Sequence, residues 1–286
     1  MFRIYQNSLL WTSLKYSLKQ IKIKKGKNMQ KDLIEQNWDY TKHAEFYSYR
    51  PNYAKQAIDI LAFYACRNGG GYGNMSVADI GAGSGNLSLM LDEIGLKVTA
   101  VEPNDAMRSI GEQRLPNVTW VRANGTDTTL MEDKFDWVTF GSSFNVMDRN
   151  IALKEAHRIL KKDGVMSAMW NHRDLNDPIQ KIAQDIIKSF IKDYSGGVRR
   201  EDQRPILEAH SKLFKDIFYI EQDFYFHQSI ENYILAWKSV KNSFWDLETK
   251  EGSELFERIC SKLRSELPKE FDIRYTTRAW SVTKVR

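Results

Sequence analysis

Apolar residues in the middle of the chain gather into five short runs, Ser76–Ile80, Lys97–Val101, 119–122, 137–140 and 165–170. Each is nearly continuous rather than alternating, the pattern of parallel strands covered on both faces. Between them, 86–94, 106–114 and 151–160 carry apolar residues at helical spacing, with Gly95 and Gly164 placed to stop the first and third. Upstream, 31–65 has helical periodicity through Ile34, Trp38, Phe46 and Tyr47; Pro51 breaks it, and a second helix is predicted over 53–66. The glycine-rich stretch 68–74 reads as a loop. Beyond Trp170 the rhythm changes to helices at 177–194 and 205–217 joined by a polar loop at 195–202. A strand at 218–227, helices at 231–240 and 252–267, and a last strand at 273–284 follow. Repeated strand–helix steps predict an α/β fold with a doubly wound, Rossmann-like sheet.

The first of these strands ends in Asp79-Ile80-Gly81-Ala82-Gly83-Ser84-Gly85, and the second ends in Glu102, 21 residues after Gly81. A buried strand, a glycine turn, a following helix and a carboxylate at the neighbouring strand tip describe a mononucleotide-type site. In the dinucleotide fingerprint the third glycine follows the second by three residues, since a pyrophosphate must rest on the helix N-terminus. Here the glycines alternate and Asp79 stands two residues ahead. A carboxylate there is unwelcome beside a pyrophosphate and suits a ligand carrying sulfonium and ammonium charges. Glycine lets the backbone approach the ligand without a Cβ in the way, and Glu102 can accept hydrogen bonds from both hydroxyls of a ribose.

At these residues the chain resembles the class I S-adenosylmethionine-dependent methyltransferases. Asp79 to Gly85 looks like that family's first motif and Val101-Glu102-Pro103-Asn104 like its second; Phe135-Asp136-Trp137-Val138 and Leu160-Lys161-Lys162-Asp163-Gly164 continue the likeness in order, over roughly 38–170. The resemblance implies a seven-stranded sheet, mostly parallel with one antiparallel strand, and helical insertions around 171–217 and 231–267 capping the strand ends. Those insertions are similar to ones in stand-alone small-molecule enzymes, including relatives of trans-aconitate methyltransferase.

The resemblance also implies roles. Asp79, Gly81, Ala82 and Gly83 would lie under the methionine part and Glu102 on the ribose, with Pro103 and Asn104 in the adjoining turn. Met107 either covers the adenine or simply packs its helix. After the third strand, Thr126 and Asp127 both stand where the family often reads the adenine amino group. After the fourth, Ser142 and Asn145 lie in the loop beside the methyl group. Many relatives carry histidine or glutamine where Asn145 stands, and an amide orients a substrate without acting as a base. Glu45 to Tyr53 resembles the family's N-terminal Tyr-x-x-Arg-Pro signature. Tyr47 would cap the methyl side, and Arg50 would either pair with the cofactor carboxylate or sit in a surface ion pair. Of the five histidines, His157 is expected to face solvent, and His172, at the mouth of the predicted cleft, is either a general base or structural.

Composition narrows this further. At 286 residues, 42% apolar and 28% charged, the chain suits one soluble globular domain with an insertion. Cys66 and Cys260 are far apart and read as reduced thiols of a cytoplasmic protein; no cluster has metal-site spacing, so no metal is expected. The net charge of +5 is misleading: 1–31 holds eight basic residues and no acid, leaving 34 basic against 37 acidic over the remainder, a net −3. Such a body has no basic footprint for nucleic acid, and no apolar run spans a bilayer. The leader, 1–30, reads as a targeting or membrane-surface helix, a flexible arm, or an upstream-start artefact. The last is preferred, because Lys24-Lys25-Gly26-Lys27-Asn28 before Met29 implies a purine-rich run like a bacterial ribosome-binding site. Residues 31–286 then form one domain of unknown oligomeric state. The expected activity is methyl transfer by in-line displacement to a small-molecule acceptor at O, N or C. The rivals are an RNA or protein methyltransferase and a non-catalytic S-adenosylmethionine-binding protein.

Overall fold

The computed structural model describes residues 40–67, 71–195, 201–240 and 244–285. The basic leader, the periodic residues Ile34 and Trp38, and residues 68–70 and 196–200 of the two loops lie outside them. The first described segment, Thr41–Tyr49, is a 3-10 helix rather than the α-helix that periodicity suggests. The chain then runs α1 (Lys55–Cys66), β1 (Ser76–Ile80), α2 (Asn86–Glu93), β2 (Lys97–Val101), α3 (Asp105–Arg114), β3 (Thr119–Val121) and β4 (Phe135–Gly141). It continues through α4 (Arg149–Ile159), β5 (Leu160–Arg173), α5 (Pro178–Phe190), α6 (Arg204–Glu208), β6 (Phe214–Ser229), α7 (Ile230–Lys238), α8 (Lys250–Glu266) and β7 (Glu270–Lys284).

The seven strands form one sheet in the order β3-β2-β1-β4-β5-β7-β6. β1 to β5 pair in parallel, while β7 runs antiparallel to both β5 and β6. Strand order therefore reverses between β1 and β4, the point where open α/β sheets leave a crevice beyond the strand ends. One face of the sheet is covered by α1 and α2, through Ile58, Leu61, Leu87 and Leu91 against Val77 and Trp137. The other is covered by α4, through Leu153, Ala156 and Ile159 against Val138, Phe140 and Met166. A third apolar cluster joins α5, α7 and α8 to the first half of β7 and forms the cap.

Four local expectations are corrected. The helix predicted at 205–217 stops at Glu208, and Phe214 already starts β6 opposite Lys284; pairing with β7 outweighs the helical spacing of a short amphipathic stretch. β6 shifts register between Lys215 and Phe218, where Asp216 takes φ 55°. Gly164 does not stop α4, which ends at Ile159; Asp163 holds the positive φ instead, inside the turn between Leu160 and Val165. His157 is half-buried rather than solvent-facing, bonded through Nε2 to the Val285 carbonyl and packed edge-on against Phe214 at 5.8 Å. β5 also outruns its apolar pattern to Arg173, because β7 stays paired with it as far as Tyr275.

Candidate functional site

The glycine bend at the end of β1 is held by β2, since the Gly81 and Ala82 amides both donate to the Val101 carbonyl, at 2.8 and 3.1 Å. Gly81 has φ +69°, and a Cβ there would stand 2.6 Å from the Ser143 side chain; Gly83 has φ +59°. Both conformations penalise any L side chain, which accounts for the glycines independently of any ligand.

Two carboxylates flank the bend. Glu102 is 7% exposed; its Oε2 accepts from the Gly83 amide and its Oε1 from the Asn104 amide, each at 2.8 Å. Burial raises its pKa, while those two amides and Arg108 oppose the rise. Each oxygen retains a second lone pair for a ligand hydroxyl. Asp79 is fully buried and accepts hydroxyl hydrogen bonds from Ser88, at 2.7 Å, and from Thr139 of β4, at 2.9 Å. Desolvation pushes its carboxyl up to about 6 against those donors.

A cavity of about 290 Å³ opens at the crossover between β1 and β4. Asp79, Gly81, Ala82 and Ser142 line it, with Tyr47 and Arg50. His172, Arg173, Trp237, Tyr233 and Tyr275 line it as well. The N-terminal strap is fastened over this space to α7: Arg50 donates to the Ser239 hydroxyl at 2.7 Å and its carbonyl at 2.6 Å, and His43 Nδ1 lies 2.8 Å from the Lys238 carbonyl. The Arg50 guanidinium stacks 4.1 Å above the Tyr47 ring. Arg50 is thus held by Ser239, and no surface ion pair involves it among the described residues.

Ser142 follows β4 with φ 59°, uncommon for serine, and its hydroxyl is 3.0 Å from that of Tyr53. Its amide donates to the Met169 carbonyl at 2.8 Å, so β5 holds the strained residue in place. Asn145 lies in a 3-10 turn, Phe144–Val146, and its Oδ1 accepts from the Trp170 indole at 2.9 Å; it is not among the cavity-lining residues. Asn104 caps α3 by accepting from the Met107 amide at 3.0 Å, and Met107 is buried in the helix packing. Thr126 and Asp127 belong to an Asn124-centred turn, in which Asn124 Oδ1 accepts from both their amides at 2.9 Å. Pro103, exposed, begins the turn after Glu102.

Tertiary structure adds residues that spacing did not single out. Tyr53 and Asn171 join the cavity wall, and Asn171 donates to the Pro51 and Asn52 carbonyls at 3.1 and 2.9 Å. Arg173, Tyr233 and Tyr275 come from three elements separated in sequence by up to a hundred residues. The one local signal was the polar tail of the fifth apolar run, Asn171-His172-Arg173, directly after Trp170. Among the described residues no group of histidines, cysteines or carboxylates is arranged to hold a metal ion, and no helix is long and apolar enough to cross a membrane.

Comparison with known proteins agrees with this geometry. Residues 78–168 match the family model of a methyltransferase domain. The chain is 32% identical over 125 residues to an uncharacterized methyltransferase of Mycobacterium tuberculosis, covering 44% of this chain and 48% of that protein. It is 31% identical over 120 residues to the ubiquinone/menaquinone biosynthesis C-methyltransferase of Proteus mirabilis, covering 38% and 47%. The chain thus spans about half the length of the curated relatives it matches. A solved structure from Anaeromyxobacter dehalogenans, provisionally described as a type II methyltransferase, shares the fold with a TM-score of 0.53. It is 18% identical, over 82% of this chain and 97% of that one.

Proposed function

We propose that this chain, which carries a methyltransferase domain of the class I S-adenosylmethionine-dependent type, transfers a methyl group from that cofactor to a small-molecule acceptor. One observation carries the reading: a glycine bend at the strand-order reversal, bracketed by Asp79 and Glu102, opens into a cavity roofed by the strap and α7. Two acceptor-only carboxylates flanking the bend suit a cationic nucleoside with free ribose hydroxyls.

In this reading Glu102 takes the ribose hydroxyls on its remaining lone pairs. The backbone at Gly81, Ala82 and Gly83 passes beneath the methionine portion, and Asp79 supplies negative potential behind it. Pro103, Asn104 and Met107 border the adenine, with Thr126 or Asp127 beside its amino group. Ser142 and Arg50 serve the polar end, and Tyr47 closes the methyl side. Bound S-adenosylmethionine supplies an electrophilic methyl carbon on positive sulfur, open to in-line displacement. The protein's work is to align the acceptor and exclude water. His172 takes a proton from an acceptor that carries one, and Asn145 braces Trp170 behind the site. A roofed cavity of this size favours a small acceptor over a macromolecule.

The test is calorimetric titration with S-adenosylmethionine, followed by methyl-transfer assays across a panel of small acceptors. Glu102→Ala should weaken cofactor binding about 10- to 100-fold, the worth of charged hydrogen bonds at a buried site. Unchanged affinity would remove the ribose assignment, and failure of the native chain to bind the cofactor would remove the reading.

A further inference from the structure

Tyr53, between the strap and α1, brings its hydroxyl to the end of β4. Its backbone is clamped on both sides by β5 and β7. The Ala54 amide donates to the Thr277 hydroxyl at 2.8 Å, and Asn171 donates to the Pro51 and Asn52 carbonyls. A Cβ on Gly141 would stand 3.0 Å from the Tyr53 hydroxyl oxygen, so the bare backbone there leaves that oxygen its room. The partner of this hydroxyl is that of Ser142, 3.0 Å away. Serine at φ 59° carries backbone strain that glycine would not; what the position gains over glycine is a hydroxyl. Both residues line the cavity. Two hydroxyls bonded to each other use one proton between them, and the second proton has no further acceptor among the described residues. The field at Tyr53 comes from opposite charges. Burial does most to raise its pKa; the Ser142 hydrogen bond and the Arg50 charge oppose the rise, while Tyr47 and Asp79 add to it. The phenol therefore stays a neutral donor, acted on by one cation and one anion.

An α-amino acid head group suits such a frame: its ammonium answers the Asp79 carboxylate, and its carboxylate answers hydroxyl donors in the field of Arg50. Resting on the methyltransferase reading above, we propose that the Tyr53–Ser142 hydroxyl pair anchors the carboxylate of the cofactor's amino-acid tail, and so selects a nucleoside whose amino acid is intact. Arg50 attracts that carboxylate by its charge while its Nε and Nη2 stay on Ser239; the two hydroxyls fix where it sits. Tyr53 acts here as a binding residue and moves no proton during methyl transfer.

The experiment compares S-adenosylhomocysteine with its decarboxylated analogue, which keeps the adenosine, the thioether and the ammonium. Both are titrated by calorimetry, the weaker one by competition. The native chain should hold S-adenosylhomocysteine at least about tenfold more tightly than the analogue, the worth of hydrogen bonds to a charged group. Tyr53→Phe should weaken S-adenosylhomocysteine about tenfold and leave the analogue within about twofold of its native affinity. Ser142→Gly removes the other hydroxyl and suits the backbone, so it should reproduce that selective loss without lowering the melting temperature. Melting temperature is measured on both variants; if Tyr53→Phe fails to fold, Ser142→Gly carries the comparison. A native chain that does not distinguish the two ligands, equal losses for both in the variants, or no loss for either overturns the proposal. Each of those results leaves the methyltransferase reading in place. Failure of the native chain to bind S-adenosylhomocysteine at all overturns that reading, and the proposal with it.

Discussion

Asp79 shows how one side chain links folding to ligand binding. Its carboxyl is pushed from 3.8 up to about 6 by burial, so the folded protein keeps a proton there that the unfolded chain releases. The contribution to stability is fully present below about pH 4 and is lost as pH rises through about 6, on the order of 3 kcal/mol in all. Urea unfolding at a series of pH values should show that decline in the native chain and a flatter profile in Asp79→Asn; identical profiles would contradict the burial account. If the ionised carboxylate faces a cationic cofactor, S-adenosylmethionine affinity should also rise between pH 5 and 7, a rise absent from Asp79→Asn. The residue was legible in sequence as an acid ahead of a glycine bend. Its partners Ser88 and Thr139 were not, because they come from α2 and β4 and meet it only across the sheet.

At the scale of elements, the bend and the strap behave differently. Gly81→Ala must place a Cβ at positive φ and against Ser143. The left-handed backbone alone costs about 1–2 kcal/mol, so chemical denaturation should report at least that loss, together with weakened cofactor binding. Normal stability and binding would mean the bend has room that its geometry denies. The strap depends on Arg50, whose guanidinium ties it to the C-terminal end of α7. Arg50→Ala should raise hydrogen exchange in 41–49 and weaken cofactor binding, with little change in core melting; unchanged exchange there would show that the strap is held by other contacts. Sequence patterning located β1 and β2 to the residue and most helices within a few residues, since buried parallel strands leave unbroken apolar runs. It underestimated β5, β6 and β7, whose length comes from mutual pairing rather than from alternation, and it overextended the helix at 205–217.

For the molecule as a whole, the sheet joins two apolar faces and the cap into one connected body over 40–285. A ligand that binds only the folded form should stabilise all of it. S-adenosylhomocysteine at about a hundred times its Kd adds ~2.7 kcal/mol, which for a domain of this size raises Tm by about 5–10 °C. A thermal-shift series should show that rise in the native chain and a reduced one in Glu102→Ala at the same ligand concentration. No shift at any concentration would count against the cofactor site.

The sequence by itself determined the α/β class, the glycine bend and its two acids, because these depend on local periodicity and on residues close together along the chain. Tertiary structure alone decided the part of the cavity wall where Arg173, Tyr233, Trp237 and Tyr275 converge from β5, α7 and β7. No spacing along the chain records that convergence, since it arises from strand pairing and from the packing of a cap helix over the strand ends.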